Sequence, residues 1–147
     1  MILNETYTLS NGVAIPKLGP STWFIPDDRA AEAVRTAVSL GYRHIDTAQA
    51  YENEAGVGED VRTCGLPREQ LFVTSKVAAE HKDYDSAARS IDETLRKKRL
   101  DYLDMMIIHS PQPWADFCGG DDMERLKRAA LIKDYGEFSH FPVFSGK

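Results

Sequence analysis

Only two cysteines occur in the 147 residues, Cys64 and Cys118. They lack the spacing of metal ligands and cannot form a disulfide framework, so both read as free thiols in a reducing compartment. A basic excess is also missing: 18 Lys and Arg face 23 Asp and Glu, a formal net charge of −5. The two signs are mixed along the chain, and nothing is basic enough to suggest nucleic acid as a partner. Apolar runs extend over only a few residues, which argues against a membrane-spanning helix. The start, Met1-Ile2-Leu3-Asn4-Glu5-Thr6, has neither the basic region nor the apolar core of a secretory signal. Low-complexity linkers and short repeats are absent. What remains is the expectation of a soluble cytoplasmic protein, one domain by length and long enough to bury a core.

Within that frame, strands and helices alternate. Asn11-Gly12 lies between two short β-type segments and supplies the positive φ of a tight hairpin. Residues 17–20 stand where a first parallel strand is expected, although Pro20 is a poor ladder residue. Asp27-Asp28 suits a helix N-terminus, Ala31, Val34, Ala37 and Val38 carry its apolar face, and Gly41 stops it. A second unit runs from Tyr42-Arg43-His44-Ile45-Asp46 through a helix near Asn53 to Thr63. A third places a strand at 71–76 and a helix at 84–98. A fourth has a strand at 103–109, a loop, and a helix pattern over 122–135. Alternation at this spacing argues for parallel strands with right-handed crossovers. Gly56-Val57-Gly58 lacks the third glycine of a dinucleotide fingerprint at Val61 and reads as helix. Arg96-Lys97-Lys98-Arg99 reads as a helix C-terminus, where cations suit the dipole.

The chemistry-bearing residues sit at the ends of these strands. Asp46 closes one, Tyr51 follows five residues later, Lys76 ends the run Val73-Thr74-Ser75-Lys76, and His109 ends Met105-Met106-Ile107-Ile108-His109. Singly, each has an ordinary explanation: a turn former, a packing ring, a solvated cation, a structural histidine. Together, and in this order, they resemble the Asp-Tyr-Lys-His tetrad of the aldo-keto reductases. The resemblance covers residues 9–120 and implies an α/β fold. That fold is the N-terminal half of a (β/α)8 TIM barrel, four parallel β/α units behind an N-terminal β-hairpin. In such barrels the C-terminal strand ends form the catalytic face, and a complete barrel takes about 250 residues.

The resemblance further implies NADPH-dependent reduction of small aldehydes or ketones. Tyr51 would be the proton donor, with Lys76 and Asp46 tuning it: an ammonium beside a phenol favours the phenolate. His109 would orient the carbonyl. Thr22, Trp23 and Asp46 would meet the nicotinamide end of the cofactor. Trp23, Ala50, His109 and Trp114 would contact substrate, with Phe24 and Phe117 extending the aromatic wall. Ser21 and Pro20 replace the freer residues of the family's loop before Trp23.

The remainder, residues 121–147, carries little of the family pattern and reads as a divergent tail, one helix and an irregular end. The family's cofactor groove draws largely on the second half of the barrel. A truncated half would therefore bind NADPH weakly or not at all. Its open edges and uncovered inner face would invite self-association. The alternative is a non-catalytic fragment or protein-interaction half barrel. No metal site is expected.

Overall fold

The computed structural model describes residues 1–9, 11–81 and 83–109, together with the backbone of 132–134. At the N-terminus, β1 (Thr6–Thr8) pairs antiparallel with β2 (Ala14–Pro16), Tyr7 opposite Ile15. The loop is wider than the Asn-Gly pair alone. Leu9 N donates to Val13 O at 2.8 Å, and Gly12 takes a φ of +86°.

Behind this hairpin lies a parallel sheet in the order β3 (His44–Asp46), β4 (Phe72–Val77), β5 (Leu103–Ile108), β6 (Ile132–Asp134). Ile45 pairs with Val73, and Lys76 with Ile107. The half-barrel architecture is the expected one, but its set of strands differs at both edges. Residues 17–20 form no strand. The first edge is reduced to a single parallel bridge between Ser21 and Asp46, where Asp46 N donates to Pro20 O and Thr22 N to Asp46 O. Pro20 has no N–H to give a longer ladder. At the other edge, Ile132–Asp134 pairs with β5, Leu103 opposite Ile132, where the sequence pattern places the end of a helix. Apolar periodicity cannot separate a buried strand from a short helix segment there. Among the described residues the sheet does not close.

Three helices cover one face: α1 (Asp27–Ser39), α2 (Glu54–Thr63) and α3 (Tyr84–Lys98). The buried stripe of α1 is Ala30, Val34, Ala37 and Val38, so Ala30 rather than Ala31 faces inward. These residues pack with Ile45, Val57, Val61, Val73, Ile91 and Met106 into one core. Gly41, at φ +99°, turns the chain out of α1. Asp83 caps α3, its Oδ1 accepting from Ser86 N at 2.8 Å.

Gly56 and Gly58 belong to α2, and their purpose is close approach. A Cβ on Gly56 would collide with Asp27 O, and one on Gly58 with the Lys98 main chain. The two glycines let α2 wedge between α1 and α3. Lys98 departs from the expectation for a helix-end cation. It is fully buried and paired with Glu54, itself 3 % exposed. The opposite face of the sheet is also less open than expected: Phe72, Thr74 and Met105 are all buried.

Candidate active site

β3 ends on Asp46 and β4 on Lys76-Val77, and their parallel register brings the two side chains together. Lys76 Nζ donates to Asp46 Oδ2 at 2.7 Å, to Oδ1 at 2.8 Å and to the Thr47 carbonyl at 2.8 Å. Tyr51 follows in a single 3-10 turn, Gln49–Tyr51, and its Oη lies 3.3 Å from the same ammonium. The Lys76 ammonium also sits 5.0 Å from the centre of the Tyr51 ring. His109 leaves the end of β5, its backbone N donating to Val77 O at 3.1 Å. Its ring meets Tyr51 edge-on, centroids 5.6 Å apart. All four residues therefore gather at one end of the sheet.

The electrostatics favour the neutral imidazole. Burial pushes the His109 pKa down, and the Lys76 charge pushes it further, against a weaker upward pull from Asp46. A neutral ring offers one N–H donor and one acceptor near the phenol. Lys76 and Asp46 remain in partial contact with solvent, their side chains 11 % and 27 % exposed.

Trp23 stands half out of the surface, its ring 6.4 Å from Tyr51 and tilted 28° to it. Phe24 stacks on Trp23 at 4.3 Å. Ala50 is exposed within the turn of Tyr51. Thr22 is placed differently from a ligand-facing residue. It is 2 % exposed, and its hydroxyl is engaged with Thr47 Oγ1 at 2.9 Å and Asn53 Oδ1 at 3.3 Å. Trp114, Phe117, Cys118 and the helix pattern over 122–131 lie outside the described residues.

Two residues that hold the site were not singled out from sequence. Gln49 Oε1 accepts from Ala78 N at 2.7 Å, while its Nε2 donates to Ser90 O and Oγ and to Thr94 Oγ1 on α3. Asn53, fully buried, donates to the carbonyls of Thr22 at 2.7 Å and Ile25 at 2.8 Å. Gln49 thus ties the Tyr51 turn to the end of β4, and Asn53 ties the Trp23 loop to the start of α2. Their only sequence signal is position, each within two residues of Tyr51.

Comparisons with known proteins identify the family. The profile of the Aldo/keto reductase family matches residues 10–143. Methylglyoxal reductase DkgB of Escherichia coli O157:H7 is 39% identical over 134 residues, 89% of this chain and 50% of that protein. A crystal structure of an aldo/keto reductase from Brucella melitensis superposes with a TM-score of 0.80 at 36% identity, covering 89% of this chain and 52% of the other. A Bombyx mori aldo-keto reductase in complex with NADP gives a TM-score of 0.80 at 28% identity, covering 89% of this chain and 49% of the other. The chain thus spans about half the length of these relatives.

Proposed function

The chain belongs to the aldo/keto reductase family, and from that premise we propose that it carries the proton-transfer machinery of an NADPH-dependent reductase of small aldehydes and ketones. One observation supports this above the rest: a single ammonium, Lys76 Nζ, is within hydrogen-bond reach of both Asp46 oxygens and of Tyr51 Oη. Carbonyl reduction builds negative charge on the substrate oxygen. Tyr51 Oη gives that oxygen its proton, and the phenolate left behind faces the Lys76 charge. Asp46 holds the ammonium in place through charge-assisted hydrogen bonds. His109, its neutral form favoured by burial and Lys76, offers an N–H to the carbonyl oxygen and so orients it.

None of these four side chains can donate two electrons as hydride. The family cofactor fits that gap, since NADPH when bound supplies the hydride. The donor set suits the reactive end of such a group in part. The exposed face of Trp23 is open to it, and the Asp46 carboxylate keeps partial exposure although both its oxygens hold Lys76, while the Thr22 hydroxyl is committed to Thr47 and Asn53. Dicarbonyls of the methylglyoxal type are the substrates to try first, given the relative named for that activity.

The test is NADPH consumption with methylglyoxal, alongside NADPH titration by fluorescence. Tyr51→Phe removes the proton donor and keeps the ring, so turnover should fall by about 10²–10⁴-fold while NADPH binding persists. Unchanged turnover in Tyr51→Phe would reject the assignment.

A further inference from the structure

We infer that Gln49 is a positioning residue for the proton donor, setting Tyr51 against Lys76 and His109 from helix α3, an inference that rests on the reductase reading of Tyr51. The turn that carries the phenol does little to hold itself. It is three residues long, and no side chain caps it. Its internal hydrogen bonds, Tyr51 N to Ala48 O and Glu52 N to Gln49 O, are 3.2 and 3.3 Å. The chain leaves it through Glu52 at φ +56°, a left-handed conformation unfavourable for any residue with a Cβ. The contact from the Lys76 ammonium to the phenol oxygen, at 3.3 Å, is long for an N–H···O bond.

Gln49 supplies what the turn lacks. Its Oε1 accepts from Ala78 N at 2.7 Å, and its Nε2 donates to Ser90 O at 3.1 Å and to Ser90 Oγ and Thr94 Oγ1 at 3.0 Å. Ala78 follows β4, two residues beyond Lys76, and Val77 between them accepts from His109 N. The backbone at 76–78 thus carries the ammonium, holds the imidazole and is pinned to the turn of the phenol. On the other side, Ser90 and Thr94 are four residues apart on one face of α3, both buried. Ala87 and Ile91 root that helix in the core.

The surroundings require an amide. The Ala78 N–H can only donate and the Ser90 carbonyl only accept, so the side chain between them must do both. Ser90 Oγ gives its own proton to Ala87 O at 2.8 Å, so it too accepts from Gln49. Glutamate would set a carboxylate oxygen against the Ser90 carbonyl, and lysine has no acceptor for Ala78 N. Without these bonds the turn is left to its two long ones. A displacement of about 1 Å in a reacting group is enough to cost on the order of 10²-fold in rate.

The test reads the placement of the phenol in the full chain without cofactor. The Tyr51 and His109 rings meet edge-on with centroids 5.6 Å apart, and the His44 and Phe72 rings, on β3 and β4, do so at 5.2 Å. The nuclear Overhauser cross-peak of the first pair, divided by that of the second, separates local displacement from general loosening. Gln49→Leu keeps the bulk without a polar atom, so the first cross-peak should be lost and the second kept. Ser90→Ala/Thr94→Val leaves Gln49 in place and removes two of its acceptors on α3. It should lower the same ratio, and it decides the matter if Gln49→Leu does not fold. An unchanged ratio in either folded variant overturns the inference. In the NADPH assay, Gln49→Leu should lower kcat for methylglyoxal about 10²-fold with KM unchanged, whereas a raised KM at full kcat would overturn it. Failure of the reductase reading shows elsewhere, as unchanged turnover in Tyr51→Phe, and leaves the ring ratio as it was.

Discussion

Lys98 carries its ammonium into the protein interior, away from solvent. Burial lowers its pKa, and the Glu54 carboxylate beside it works in the opposite direction. Taking away one partner leaves the other as an uncompensated charge inside the helical layer. Lys98→Met or Glu54→Leu alone should therefore cost about 3–5 kcal/mol in urea unfolding, whereas the two substitutions together should cost much less than the sum. Additive losses would show that the pair is not coupled. The gathering of Asp46, Tyr51, Lys76 and His109 was legible at this scale because each ends a strand or follows one, and parallel strands must bring such ends together. Gln49 and Asn53 were not. They sit in a single 3-10 turn and at a helix start, where polar residues have no periodicity, and their partners lie 28 to 45 positions away in sequence for the Ile25 and Thr94 contacts. Lys98 was misleading for a related reason, since a basic cluster at a helix end looks solvated unless the opposing carboxylate is known.

The element whose sequence most understates its role is α2. Two glycines in ten residues should weaken a helix, by roughly 1 kcal/mol each against alanine. Here they set its distance from its neighbours. Gly58→Ala would gain intrinsic helicity but press a methyl group into the Lys98 main chain, which cannot rotate aside. Overpacking of this kind costs about 1–3 kcal/mol, so the variant should melt lower than the unaltered chain despite its better propensity. A higher melting temperature would mean that α3 shifts freely. The same logic separates the strands that sequence revealed from those it did not. β4 and β5 are six residues each, with the apolar Phe72-Val73 and Met105-Met106-Ile107-Ile108, and announce themselves. The first edge is a single bridge beside a proline, and β6 is three residues long, so neither has enough pattern to read.

For the molecule as a whole, His44 should tie stability to acid. Its Nε2 lies 2.9 Å from Thr74 Oγ1, and its ring is wedged against Gly19 and edge-on to Phe72. Burial, the largest influence, lowers its pKa against upward pulls from Asp46 and the Pro16 carbonyl, and smaller contributions from Lys76, downward, and Asp104, upward, follow. A depressed base is neutral in the folded chain while its unfolded counterpart still takes up a proton. Stability should thus be level above the ordinary histidine value of 6.5 and fall as pH drops through it toward the folded value, flattening below that. His109 adds in the same direction. Urea midpoints at pH 7.5 and 5.5 should differ less in His44→Gln than in the unaltered chain, and an unchanged difference would remove His44 from the account. Gln49, finally, gives this fold a built-in gauge. The Ala78 amide is held by a side chain from the turn that bears Tyr51, not by a neighbouring strand. Its proton trades with deuterium when the Gln49 contact opens, so one amide signal reports on the seating of the turn that carries the phenol, with no substrate in the tube.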